Sequence, residues 1–309
     1  MELEECIWNV YNDETRAILG IGLYMAGFFS VVLNCWLLAA FARTSLSSER
    51  SYITLLNLNI SSIVRSFFAG FLITGVSAVA HRWMFGISTC KLFGFLRQLA
   101  GAYQMEALLH MCIDRYVVAK YIKHGYEVTK SHYTLYIACC WFFSSCYSLP
   151  QLFGLGSYSW DFTCTACQFD LALPDGSYSR MVVVTILLLG SLKPLLMMWS
   201  MFSWTRSLEN DSFNEKEHQQ QILLNQSTRS ITWATMCSWL PGALLISWVV
   251  LPQLLHGIIV QPPVLLTILA AVSTEAASGV IVLSAFYSND RVRSAMMSLL
   301  GEPTHTKQA

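Results

Sequence analysis

Phe28-Phe29-Ser30-Val31-Val32-Leu33 lies at the middle of a stretch, Ala17 to Ala42, that holds no charged residue. About 20 apolar helical residues cross the hydrocarbon layer of a bilayer, so this stretch alone predicts a complete crossing. Six further segments share its character: about Tyr52–Val79, Cys90–Tyr121, Tyr133–Phe153, Tyr178–Trp204, Ile231–Leu251 and Pro263–Tyr287. The separators carry turn chemistry: Ser-rich Thr44–Glu49, Pro174-Asp175-Gly176-Ser177 and Gln261-Pro262-Pro263. The expected fold is an all-α membrane protein with a bundle of seven transmembrane helices whose outer faces meet membrane lipid.

Composition agrees. Of the 309 residues 54% are hydrophobic and only 12% charged, about half the charge of an average soluble domain, and the mean hydropathy is +0.48. The 19 Lys and Arg balance the 19 Asp and Glu, so no field draws in nucleic acid, which is excluded as a partner. Lys and Arg counted on alternate sides give four on the first side (Arg16, Arg82, Lys91, Arg180) and twelve on the other, among them Arg43, Arg115, Arg206, Arg229 and Arg291. By the positive-inside rule the N-terminus is extracellular and the C-terminus cytoplasmic. Residues 1-16 are acidic and do not read as a signal peptide. They are expected outside, with 17-287 as the seven-helix domain and 288-309 as a cytoplasmic tail. Asn289–Leu300 suits a short amphipathic helix on the membrane surface, the alternative being a solvated tail.

Most of the ten cysteines sit inside the segments, where a thiol is a small apolar filler, and no metal site is expected. Cys90, Cys164 and Cys167 face the oxidising side, where a disulfide persists. Cys90 would pair with Cys167 or else with Cys164. There is no Gly-x-Ser-x-Gly, His-Glu-x-x-His or phosphate loop, so the chain is not expected to be an enzyme. Without internal repeats or paired broken helices a transporter is also disfavoured.

Cys90-Lys91-Leu92-Phe93-Gly94-Phe95, running without a gap to Asp114-Arg115-Tyr116-Val117-Val118, resembles the third helix of the opsins within the rhodopsin-like (class A) G-protein-coupled receptors. Asn34, Trp141 with Pro150, Pro194 and Trp239-Leu240-Pro241 fall where that family keeps its marker residues. Gly154–Asp170, with Tyr158 and Cys167, is similar to the opsin lid over the retinal pocket, and Arg82-Trp83-Met84-Phe85-Gly86 resembles the outer loop of retinochrome-like members. The resemblance covers nearly the whole chain. It implies a plasma-membrane receptor with a heterotrimeric G protein as partner, Asp114-Arg115-Tyr116 as ionic lock and a small apolar or anionic ligand.

The departures are as informative. Counting back from Asn289 along the opsin-like tail places Glu275 where opsins carry the lysine that forms a Schiff base with retinal, and a carboxylate cannot form an imine. Phe93 stands where the counterion glutamate is usual. The combination resembles the gluopsins, opsin relatives with glutamate for that lysine. No covalent cofactor is then expected, and retinal or another retinoid could be held only non-covalently. The Asn-Pro-x-x-Tyr segment reads Ile281-Val282-Leu283-Ser284-Ala285, the second-helix aspartate reads Ser62, and Phe202 replaces a tyrosine, so coupling to a G protein is expected to be weakened.

Ionisable residues inside hydrocarbon are expensive and mark sites or pairs. Arg97, two helical turns from Cys90, is placed by the family fold opposite Glu275, with Arg65 beside it. Glu275 would then sit between two guanidiniums, either as a structural clamp or as the holder of two arginines that greet an anionic head group. Glu106 and Lys193 are expected to form a second intramembrane ion pair, Lys193 as a displaced retinal linker being the alternative. The expected pocket comprises Glu275, Arg97, Arg65, Phe93, Gly94, Gly101, Asp161, Trp239 and Gly242. Trp239 is a ligand-contacting switch or ordinary packing; Asp161 is a second counterion or a solvated loop residue. The glycines leave room for a ligand or let helices approach. Three functions fit: a light-independent or non-covalent small-ligand receptor, a retinoid carrier or photoisomerase, and a non-signalling membrane scaffold.

Overall fold

The computed structural model describes residues 13–49, 52–67, 73–80, 82–121, 129–161, 164–171, 177–209 and 215–301. Residues 1–12, the Pro174-Asp175-Gly176 turn and the tail from 302 lie outside the described residues. All seven expected crossings are helical over their described residues. The first is α1 (Asp13–Arg43), and the described parts of the second are α2 (Ile53–Arg65) and α3 (Gly75–Val79), with π-type turns at 66–67 and 73–74. The third is α4 (Gly86–Tyr121) and the fourth α5 (Lys130–Ser148), which ends in a 3₁₀ turn at Pro150–Phe153 because proline lacks the N–H a continuing helix needs. The fifth is α6 (Ser177–Leu187) and α7 (Lys193–Glu209), joined by a π-helical turn at Leu188–Leu192. The sixth and seventh are α8 (Glu215–His256) and α9 (Val264–Ser288). The sixth begins well before the apolar Ile231–Leu251, since nothing between Glu215 and Thr232 breaks a helix: those turns are polar but hold no Gly or Pro.

Four stretches, Ala17–Arg43, Arg180–Ser207, Gln221–His256 and Val264–Ser288, are long and apolar enough to cross a membrane on their own. The distribution of side chains extends that to the bundle. Phe29, Phe142, Leu188, Trp199, Leu240 and Leu265 point outward, while Asn34, Asn59, Ser62, Arg65, Gln104, Glu106 and Glu275 are buried. Apolar outside and polar within is the arrangement a lipid solvent selects.

The expected amphipathic helix is α10 (Asp290–Ser298). Asn289 caps it, its side chain accepting from the N–H groups of Arg291 and Val292, as helix N-termini require. It buries Val292, Ala295 and Met296, and the indole N–H of Trp36 on α1 donates to the Met296 carbonyl at 3.0 Å.

The outer end is closed by a lid. β1 (Tyr158–Trp160) pairs antiparallel with β2 (Cys167–Phe169), Trp160 opposite Cys167. A disulfide joins Cys90 at the outer start of α4 to Cys167, so Cys164 is not its partner; Cys164 is itself disulfide-bonded. Tyr158 and Phe169 of the lid form one buried cluster with Val183, Leu245, Val249 and Ala270, and a larger one around Leu58, Leu108, Met198, Ile231 and Ile281 fills the inner half.

Candidate ligand-binding cavity

Between the lid and the inner core lies a cavity of about 430 Å³, within the range of about 300–1,000 Å³ usual for small-molecule sites. Its wall is mostly apolar: Ile186, Leu187 and Leu195 from the fifth crossing, Met236, Leu245 and Ile246 from α8, Ala270 and Ala271 from α9. Polar groups gather on the side of α2, α4 and α9, where Arg65, Arg97, Gln98 and Thr274 reach it. Among the described residues that line it there is no lysine.

Arg97 extends from α4 to α9 and forms an ion pair with Glu275, Nη2 to Oε1 at 2.8 Å. Gly101 and Gln104 follow Arg97 at helical spacings of four and seven, so all three share one face of α4. Gln104 accepts a hydrogen bond from Arg65 Nη1 at 2.5 Å and donates to the hydroxyls of Ser62 at 2.9 Å and Ser278 at 3.0 Å. Arg65 also donates to the Thr274 carbonyl at 3.2 Å, and its guanidinium lies 5.2 Å from the centre of the Trp239 ring, a stacking that suits a planar cation. The polar chain continues inward: Asn34 donates to the Ser278 carbonyl at 3.0 Å and Asn59 to Asn34 Oδ1 at 2.9 Å.

Three expectations need correction. Glu275 is buried but does not line the cavity. The cavity face of α9 is Thr267, Ala270, Ala271 and Thr274, and Glu275 is the next residue, about 100° further round the helix. It lies on the stripe that meets α1, where Ser30 donates to its carbonyl at 3.3 Å and Gly279 packs against Ser30. Arg65 accordingly does not pair with Glu275; its hydrogen bonds go to Gln104 and Thr274. Phe93 is also outside the cavity, with its ring 6.0 Å from that of Trp83 in the cluster around the Cys90–Cys167 bridge, because α4 turns that position away from Gly94 and Arg97.

The remaining residues fall where the cavity needs them. Gly94 lines it directly under the lid, and a Cβ there would meet the Tyr158 ring at 2.8 Å. Tyr158 donates to the Ser148 carbonyl at 2.8 Å, and burial holds its phenol above the ordinary value of 10.0. Gly101 admits the edge of Trp239 and Gly242 that of Thr274. Asp161 is buried rather than solvated; it lines the cavity and accepts from the Ala166 N–H at 3.2 Å. Gln98, Gln104, Thr274 and Ser278 escape a search for charged residues. Only the seven-residue step from Arg97 to Gln104 signals any of them.

Glu106 and Lys193 form a separate site outside the cavity wall. Their charges are 3.6 Å apart, and the Tyr147 hydroxyl bridges them, donating to Glu106 at 3.3 Å and accepting from Lys193 at 3.4 Å. The Lys193 ammonium also lies 4.3 Å from the centre of the Phe143 ring. At the inner end Asp114 and Arg115 form a buried ion pair, and the Tyr116 ring lies 5.6 Å from that of Trp204, tilted by 49°. Among the described residues no group of three potential metal ligands is present.

Residues 33–275 match the model of the 7 transmembrane receptor (rhodopsin family). The chain is 26% identical to "Rhodopsin, GQ-coupled" of Mizuhopecten yessoensis over 75% of its own length and 50% of that protein. It is 24% identical to Opsin-5 of Mus musculus over 76% of its length and 69% of that relative. It thus spans about half the length of the first of these. The crystal structure of squid rhodopsin superposes with a TM-score of 0.80 at 20% identity, over 94% of this chain and 87% of that one. With the family model spanning well over half its length, the chain belongs to the rhodopsin family of seven-transmembrane receptors and is opsin-like within it.

Proposed function

We propose that this opsin-like receptor takes a small, largely apolar ligand without a covalent bond and independently of light, and couples only weakly to a heterotrimeric G protein. One observation carries the reading: no lysine is found among the described residues lining the cavity. An imine needs a neutral primary amine within bonding reach of the aldehyde. Lys193 is committed to Glu106 and Tyr147 beyond the wall, and Glu275, standing by resemblance at the linking position, offers a carboxylate. A retinoid held this way would be a non-covalent guest.

Weak coupling is supported by the Arg65–Gln104–Ser278–Asn34 chain, which ties four crossings with direct side-chain bonds where the family has a polar, rearranging cluster. Asp114-Arg115-Tyr116 stays in place for a partner on the cytoplasmic side. The charge asymmetry supports an N-terminus outside, and the likeness to opsins supports the plasma membrane.

The test is to purify the receptor from the membranes that make it and extract it with organic solvent. About one apolar small molecule per chain should leave with the protein's mass unchanged. Nucleotide exchange on added G proteins should be slow and equal in darkness and light. Absence of any such molecule, or exchange that rises on illumination, would overturn the reading.

A further inference from the structure

Three hydrogen-bond donors on residues that line the cavity, Arg65 Nε, Arg97 Nη1 and Trp239 Nε1, are buried and make no hydrogen bond; the same holds for the acceptor Glu275 Oε1 beside Arg97. Buried donors are almost always satisfied, and an exception calls for an occupant. Their chemistry is uniform, two guanidinium N–H groups and an indole N–H, with the Arg65 guanidinium against the Trp239 ring. Charge at this end of the cavity is also out of balance. Arg65 and Arg97 bring two positive charges, and the carboxylate beside them is that of Glu275, engaged with Arg97 from behind the wall. Asp161 belongs to the lid, where it holds the Ala166 N–H. Counted with Glu275 and Asp161 the cavity is neutral as a whole, so the positive surplus is local to the Arg65–Arg97 end, and a local guanidinium surplus inside a membrane favours an anion there.

Resting on the non-covalent reading above, we propose that the ligand is a long apolar monocarboxylate. Its carboxylate is seated on Arg65, Arg97 and Trp239, and its body lies along the apolar wall of the fifth crossing and α8. An acceptor with two oxygens and a single negative charge can satisfy orphaned guanidinium and indole donors together. A neutral aldehyde, ketone or alcohol leaves the charge unbalanced, and a dianionic phosphate overshoots it. A small inorganic anion would fill the polar end only and leave the space beside Leu187, Leu195 and Leu245 empty.

The probes are dodecanoate, hexadecanoate, cis-9-octadecenoate and all-trans-retinoate, each beside its matched alcohol and measured on the full-length receptor by thermal shift and by quenching of tryptophan emission. At least one acid should bind about tenfold or more tightly than its alcohol, the size expected from one charge-assisted hydrogen bond. Trp239→Phe keeps the ring and removes only the N–H, so it should weaken that acid several-fold and leave the alcohol unchanged. Arg65→Gln should abolish the preference. Alcohols binding as well as acids would overturn the carboxylate seat while leaving a non-covalent receptor. No binding of any acid would also overturn the seat; if a neutral molecule still co-purifies, the non-covalent receptor stands, and if nothing does, both fall. Stabilisation by chloride alone, with nothing added by the acids, would identify an inorganic anion site and overturn the proposal.

Discussion

Arg97 crosses from α4 to meet Glu275 of α9 at 2.8 Å, yet only the arginine lines the cavity; the carboxylate stands behind it, and the Glu275 backbone carbonyl accepts from Ser30 of α1. The pair therefore works as a wall with one charged surface. Glu275 holds Arg97 in position without itself presenting a group to a ligand. Breaking a buried pair leaves an uncompensated charge, whereas removing both partners does not.

Glu275→Gln is accordingly expected to cost about 3 kcal/mol of stability, read as a fall in the unfolding temperature of detergent-purified receptor. Arg97→Leu combined with Glu275→Leu should recover most of the loss. Two single variants whose losses simply add in the double variant would show that the residues do not act as a pair.

Gly94 is the seat of the lid. A methyl group there would collide with the buried ring of Tyr158, so Gly94→Ala should lose about 1–3 kcal/mol by overpacking and should speed exchange of any bound ligand by loosening β1. Adding Tyr158→Ala should remove the collision and restore slow unfolding of the remaining bundle, though not the closed lid. Unchanged exchange in Gly94→Ala would mean that β1 does not cover the cavity.

Lys193→Met leaves Glu106, 1% exposed, facing Tyr147 alone. The expected loss is about 3 kcal/mol, with ligand affinity unchanged because Lys193 is not part of the cavity wall. Equal affinity in Lys193→Met and the unaltered receptor checks this; a large drop would place the amine at the ligand.

Hydropathy made the seven crossings legible, because runs such as Ala17–Ala42 need no tertiary information to be read. A charge in hydrocarbon must find a partner, and the resemblance to opsins, by setting which helix faces meet, pointed Arg97 to Glu275 and Glu106 to Lys193. What escaped depends on rotation about a helix axis. One residue of difference, Thr274 against Glu275, decides which of them lines the cavity, and likewise for Phe93 against Gly94. Gln104, which joins Arg65 to Ser62 and Ser278, carries no charge and stands out only once α2 and α9 are beside it. The π-helical turn in the fifth crossing, at Leu188–Leu192, leaves no mark in hydropathy, since the stretch through it holds no charged residue.

The most direct measurement is the ultraviolet–visible spectrum of the receptor after incubation with 11-cis-retinal, recorded before and after illumination and again after hydroxylamine. The expected result is no visible band. Any retinal absorbance stays in the near ultraviolet, is unchanged in kind by light, and is removed by solvent extraction as free retinal. A visible band that bleaches on illumination and is lost to hydroxylamine as the oxime would mean a protonated Schiff base, and with it a covalent, light-driven receptor.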